Sequence, residues 1–584
     1  MHKRKYLVFG LGCFWAILLL SLLACESATA DEEVAPTADF LLYNGKIYTM
    51  AADRRRVESI AIRQGKIICA GPERDCRQHA QPSTQLLDLS SRAVLPGLTD
   101  AHIHPISGGL RYFQCDLTDF RRSEPILEAV TAFAAAHPDL DWIRGAGLWL
   151  PSVAGGYPTA AMLDIAEAER PVFITSTDGH SAWVNSAALA IAGINAATPD
   201  PLNGRIERSA DGQATGLLRE SAMGLVSRYI PPTTRQERKA ALVKAMEVAN
   251  QHGIIRWIDA SVDAEALSIY RELAAADSLS VDVILSLAAR MALSTDAADD
   301  VDSVFRAQPT DDYEHLSAHS VKLFIDGVVE GKTAALLANY EGETFSFDPY
   351  LPAEEFNELV ADFDQRGYQV HVHACGDLGV RMTLDAFEYA RRTNGIRDSR
   401  HHIVHLQLMD PADIDRFREL DVTVNFQPLW ATPEDTYISD LTIPVLGADR
   451  SEWIYPFGAL AESGAVLAAG SDWPVTTINP FPAMQVAVTR RGPDTIVRPA
   501  WTPQHLLDRF TVLSAYTIGG AYLNFQENES GSLEVGKQAD LIVLDQDLFA
   551  VPFEDLGNTQ VDLTMLRGNV IYQSNASWLD QSDF

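Results

Sequence analysis

The stretch Ala93-Val-Leu-Pro-Gly-Leu-Thr-Asp-Ala-His-Ile-His104 sets the reading of the whole chain. It is an apolar, strand-like run with histidines two residues apart at its C-terminal end, so both imidazoles fall on one face of a strand. Seven further apolar runs follow, at 254–259, 281–287, 321–326, 368–373, 402–406, 422–426 and 465–469. Amphipathic helices are predicted between them, among others at 236–251 and 353–366. Eight short strands alternating with helices are the pattern of a (β/α)8 TIM-like barrel. Polar residues collect where such barrels place their active sites, at the C-terminal ends of the runs. His371 and His373 alternate on one run, His405 closes another, Lys322 lies on a third, and Asp472 follows the last.

Outward from the barrel, residues 105–235 are far too long for one connecting helix and read as a subdomain inserted after the first strand. Short β-like runs with Asn-Gly and Gln-Gly turns appear at 40–48 and 59–68 and return only at 539–544 and 565–572. They predict a small β-sandwich assembled from both ends of the chain, residues 39–92 and 530–584, around a barrel of 93–529.

The N-terminus has Lys3, Arg4 and Lys5 before an apolar run and no acidic residue through position 24, the pattern of a secretory signal. Leu22-Leu-Ala-Cys25 is similar to the lipobox of bacterial lipoproteins, which makes Cys25 the expected lipid site, with a plain signal peptide cut after Ala28 or Ala30 as the alternative. Residues 25–38 then form a tether, and the expected location is a bacterial membrane, periplasmic or outer face. Of the other cysteines, Cys69 and Cys76 are either a disulfide or a pair of buried thiols.

Composition narrows the function. The 584 residues carry 46 Lys+Arg against 79 Asp+Glu, a net charge of −33 that disfavours binding to a phosphate backbone. Membrane contact is therefore expected through the lipid alone, and a homodimer is the default assembly. With 47% hydrophobic residues the chain has enough apolar material for a sizeable core.

Imidazoles and a carboxylate converging on a barrel mouth are the ligand types of a hydrolytic zinc-type site. Each residue alone has a plainer reading. An isolated His-x-His can be structural, Lys322 can pair with Asp326, and Asp472 can cap a helix ahead of Trp473-Pro474. Their joint occurrence in barrel order favours the site.

At these residues the chain resembles the amidohydrolase superfamily. The first-strand motif Pro96-Gly-Leu-Thr-Asp-Ala-His102-Ile-His104 carries that likeness. Val321-Lys-Leu-Phe-Ile-Asp-Gly327, His373-Ala-Cys-Gly-Asp377, His405-Leu-Gln407, Gly470-Ser-Asp472-Trp-Pro-Val475 and Gly531-Ser-Leu-Glu-Val-Gly-Lys-Gln-Ala-Asp-Leu541 are similar to its family 3 branch, which includes N-substituted formamide deformylases. So are the segments containing His180, Asn185 and Glu220 in the insertion.

The resemblance implies two divalent metals, zinc by default. His102 and His104 would hold one and His373 and His405 the other, with a carbamylated Lys322 bridging them. Asp472 would reach the first metal and serve as general base and then general acid, as a metal-bound hydroxide attacks a non-peptide C–N bond of a small amide, N-formyl compound or cyclic amide. A deaminase, an esterase or lactonase, and a non-catalytic lipoprotein binding module are the competing functions. Val404 stands where relatives commonly have Glu, and Cys375 where they commonly have an aliphatic residue. His371 reads as a supporting or core histidine. His180, Asn185, Glu220, Trp149 and Trp430 are the substrate-pocket candidates, with Trp473 as a further apolar wall.

Overall fold

The computed structural model describes residues 36–578 except 154–155, 178, 180, 202–203, 290–312, 314, 433–436 and 494–498. The signal, Cys25 and most of the tether lie outside the described residues, as does His180.

The opening run is two strands. Pro96 and Gly97 end the first, and Ala93–Pro96 joins a sheet with Lys46–Tyr48 and, antiparallel, with Leu541–Leu544. The second begins the barrel, whose strands we number β1 (Leu98–Ile103), β2 (Ile254–Val262), β3 (Asp282–Ala288), β4 (Leu316–Phe324), β5 (Gln369–Ala374), β6 (His402–His405), β7 (Thr423–Phe426) and β8 (Leu467–Ala469). They pair in chain order and in parallel from β1 to β8. All eight apolar runs thus contribute a barrel strand. The end of β8 comes back to β1, where the Asp472 amide donates to His102 O at 2.7 Å. Gly470 permits the closure, since a Cβ there would lie 2.5 Å from His102 N.

Alternation decides which side chains see the barrel interior. On β5, Val370 and Val372 enter the apolar core beneath the surrounding helices, and His371 and His373 take the opposite face. On β4, Val321 and Leu323 do the same, leaving Lys322 to face inward, fully buried. Full burial of each such Val or Leu contributes about 1.5–3 kcal/mol, so a one-residue slip of register is strongly disfavoured. The helices match expectation closely. Arg235–Gln251 starts with a Thr234/Glu237 capping box, and Ala353–Gln365 lays Phe356 and Val360 on the core.

Residues between β1 and β2 build a six-stranded sheet in the spatial order Gly204–Arg208, Ala214–Glu220, Ser181–Val184, Val172–Ser176, Ile143–Leu148, Cys115–Asp116. The chain termini supply two sheets, one of four strands and one of six, and the latter joins Ala93–Pro96 and Lys46–Tyr48 to Leu541–Leu544 and Val561–Leu566. Leu42, Ile60 and Leu87 of one sheet meet Val94, Leu541, Val543 and Leu563 of the other in a single core. Cys69 and Cys76 form a disulfide at its edge.

The barrel base is tied to this sandwich by charge. Arg256 on β2 meets Asp282 on β3 at 2.7 Å and Asp540 at 3.8 Å, and Arg567 and His315 reach the other oxygen of Asp282 at 3.1 and 2.7 Å.

Candidate metal centre

β1 delivers His102 and His104 to the rim, β6 ends in His405, and the turn after β8 carries Asp472. Both turns hold unusual backbone, with φ of +81° at His405 and +54° at Asp472. Strain of this kind persists only where the surrounding structure enforces it. The Asp472 carboxylate is 3.4 Å from His102 Nε2 and 3.1 Å from His104 Nε2. Ligand atoms of His102, His405 and Asp472 all lie within 4.8 Å of one another.

Two of the rings are oriented from behind. His102 Nδ1 is 2.9 Å from His371 Nε2, and His405 Nδ1 is 2.9 Å from Gln427 Oε1 on the turn after β7. Trp430 lies parallel to the His405 ring, 2° between planes and 5.0 Å between centroids. His104 is the member that opens to the mouth, its side chain 29% exposed.

Burial sets the charge states. It pushes His102 down to about 3, helped by Lys322, and holds His405 well below the ordinary imidazole value. Such rings are neutral and keep a lone pair for a metal. Burial alone would raise the Asp472 carboxyl, but His102 and His104 outweigh it and hold the group well below the usual carboxylate range. Burial lowers the Lys322 amine to about 7 despite Asp472 nearby, so much of it is uncharged at neutral pH.

These residues fit a metal. Asp472 Oδ1 is buried without a hydrogen bond of good geometry, yet two imidazole nitrogens face it. A buried carboxylate oxygen in that state is costly unless a cation completes its shell.

The remaining candidates divide. His373 sits beside His405, 4.5 Å between ring centroids, with Nε2 3.1 Å from Gly327 O and 3.6 Å from Cys375 Sγ. Lys322 Nζ is 3.5 Å from His371 Nε2 and 4.9 Å from the Phe324 ring centre. Lys322 does not pair with Asp326, because the Asp326 oxygens accept the amides of Ala335, Cys375 and Gly376 at 2.8–3.0 Å. Nor does Asp472 cap a helix. The next one, Pro480–Thr489, is capped by Asn479.

Asn185 requires a correction. It is fully buried, accepts from Val172 N and Ala188 N, and donates to Glu167 O and Arg170 O, so its amide is spent inside the insertion and is withdrawn from the pocket. Trp149 follows the insertion strand Ile143–Leu148, with Arg121 over its ring at 5.2 Å. Glu220 ends the strand Ala214–Glu220 at φ +49° and acts electrostatically on Tyr350, a neighbour of Asp326 and Cys375. Trp473 packs against Gly108, where a Cβ would lie 2.2 Å from the indole.

Sequence reasoning missed the clamping role of two rim carboxylates. Asp100 accepts the amides of His102 and Ser471 at 3.1 and 3.0 Å, tying β1 to the turn after β8, and Asp326 ties the turns after β4 and β5. Burial raises each to about 7 against those amides. The only signal for Asp100 was its place two residues before His102.

The model of amidohydrolase family 3 matches residues 85–572. Protein LONG AFTER FAR-RED 3 of Arabidopsis thaliana is 31% identical over 516 residues, 87% of each chain. The N-substituted formamide deformylase of Arthrobacter pascens is 25% identical over 92% of this chain and 99% of its own. A metal-dependent hydrolase from Pyrococcus furiosus, described as uncharacterized, superposes with a TM-score of 0.68 at 25% identity, covering 87% of this chain and 99% of that one.

Proposed function

The chain belongs to the amidohydrolase family, and from that membership we propose that it hydrolyses the non-peptide C–N bond of a small amide, N-formyl amine or cyclic amide. The observation that carries this is the convergence of His102, His405 and Asp472 around a carboxylate oxygen without a hydrogen bond of its own. The formamide deformylase among the relatives supports the bond type.

His102, His104 and Asp472 would hold one divalent metal and His405 and His373 a second, with zinc the default for imidazole-rich ligands. When bound, the metals supply Lewis acidity toward the substrate carbonyl and an activated water at neutral pH. The Asp472 carboxylate, ionised at neutral pH, takes the proton of the attacking water and returns it to the leaving nitrogen. Lys322 in its neutral form can add carbon dioxide, forming an N–C bond and releasing one proton, to present a carboxylate between the two positions. Trp430, flat against His405, offers an apolar wall for an N-substituent, and Glu220 approaches from the insertion. We also propose export and lipid anchoring through Cys25, a reading the Cys69–Cys76 disulfide supports because such bonds persist in oxidising compartments.

Elemental analysis of the reconstituted protein, beside turnover of N-formyl and N-acyl amines, tests the function. The expectation is about two metals per chain, loss of one in Lys322→Ala, and full metal without turnover in Asp472→Asn. No stoichiometric metal after reconstitution would overturn the mechanism and favour a binding module. One metal with ammonia released from amino-substituted heterocycles would make the protein a deaminase.

A further inference from the structure

His371 is completely buried, yet it is not among the ligands, and its neighbours Val370 and Val372 already fill the apolar core. A buried imidazole is unfavourable unless both nitrogens find partners. Both do. Nε2 lies 2.9 Å from His102 Nδ1, with Lys322 Nζ at the outer limit of 3.5 Å. Nδ1 lies 3.2 Å from Ser286 Oγ, itself 3.1 Å from Ser320 Oγ. Strand register produces this row, since β3 pairs Ser286 with Ser320 and β4 pairs Lys322 with His371. On the far side the His402 ring packs at 4.0 Å.

With His102 as a ligand, the proton arrangement from His102 through His371 to Ser286 is fixed. His102 Nε2 faces Asp472 and must keep its lone pair to ligate, so the proton of the neutral ring sits on Nδ1 and is donated to His371 Nε2. His371 then carries its own proton on Nδ1 and donates to Ser286 Oγ, which shares a further hydrogen bond with Ser320 Oγ. Reversing the direction puts a proton on His102 Nε2, where the ligating lone pair belongs.

We propose that His371, backed by Ser286, is a positioning residue that fixes the tautomer and ring plane of His102 and so sets the affinity of the metal position His102 serves. The proposal rests on the reading of His102 as a metal ligand. Partners of this kind behind a ligating histidine change metal affinity by about 10–100-fold when removed.

The test titrates the metal-free full chain with Zn(II) against a chromophoric chelator and records the visible spectrum of the Co(II) form, for wild type, His371→Ala, His371→Gln, Ser286→Ala and His102→Ala. Circular dichroism verifies the fold of each. His371→Ala should weaken one metal equivalent about 10–100-fold and shift the Co(II) bands. His371→Gln should restore both, because its carbonyl accepts from His102 Nδ1 while its amide donates to Ser286. Ser286→Ala should fall between. Wild-type affinity and spectrum in His371→Ala, with the equivalent lost in His102→Ala, would overturn the proposal, as would His371→Gln behaving like His371→Ala. Two full equivalents retained in His102→Ala would overturn the ligand reading itself and the positioning role with it.

Discussion

Each end of the barrel buries a carboxylate, to opposite effect. At the base, Arg256, Arg567 and His315 converge on Asp282, whose two oxygens are thereby both engaged. At the rim, His102, His104 and His405 surround Asp472 with imidazoles, and burial holds His102 and His405 neutral. Asp472 Oδ1 ends without a well-formed hydrogen bond there, whereas both oxygens of Asp282 are engaged. A buried carboxylate paired with guanidinium is structural cement, and one ringed by imidazoles is an incomplete shell that a cation completes. Partner charge, more than burial, separates the two roles.

The strongest way to break this comparison is Asp472→Asn. Turnover should fall about 10³-fold with metal content retained, measured on the best N-formyl or N-acyl amine, while the urea midpoint barely moves. A comparable loss of stability would place Asp472 in the structural class with Asp282. At the base the converse is expected. Arg256→Met removes the cation shared by Asp282 and Asp540 and should cost about 3 kcal/mol in chemical denaturation, with metal stoichiometry unchanged.

Acid sharpens the contrast further. Burial would raise Asp282, but Arg256, His315 and Arg567 hold it down to about 2 from the ordinary 3.8. A depressed carboxyl contributes stability that is present above the unfolded value and lost as pH falls from about 4 through 2, here about 2 kcal/mol. Asp282→Asn should lack that component in urea melts between pH 5 and 2. The smallest effect concerns Lys322. Because its amine is held near 7, the uncharged fraction rises with pH through neutrality. At equal concentrations of dissolved carbon dioxide, activation of metal-reconstituted protein should be about tenfold slower at pH 6 than at pH 8, and Lys322→Ala should abolish the dependence.

Much of this was legible in one dimension. The eight apolar runs located all the barrel strands, because parallel strands covered on both faces read as near-continuous apolar runs. Spacing by two placed His371 and His373 on one face for the same geometric reason. The break at Gly97 was not legible, since Ala93–Pro96 runs on into Leu98–Ile103 as one strand-like stretch and only their different sheet partners separate them. Asn185 misled because a motif carries a residue's position and not the partners of its amide, all four of which are backbone groups of the insertion.

What the sequence determined by itself was periodic and local: the barrel class, the strand ends bearing His102, His104, His373 and His405, an amphipathic helix over 236–251 and the acidic balance of the chain. What only the tertiary structure decided was pairwise and distant. The His102–His371 contact spans 269 positions, the Arg256–Asp540 pair joins barrel to sandwich, and the Asp100 clamp holds a turn 371 residues away. Hydrophobic pattern fixes which face of an element is buried, because that depends on a residue's own neighbours in sequence. Charge state and hydrogen-bond direction depend on which strangers meet in the interior, and that is settled only when the barrel closes.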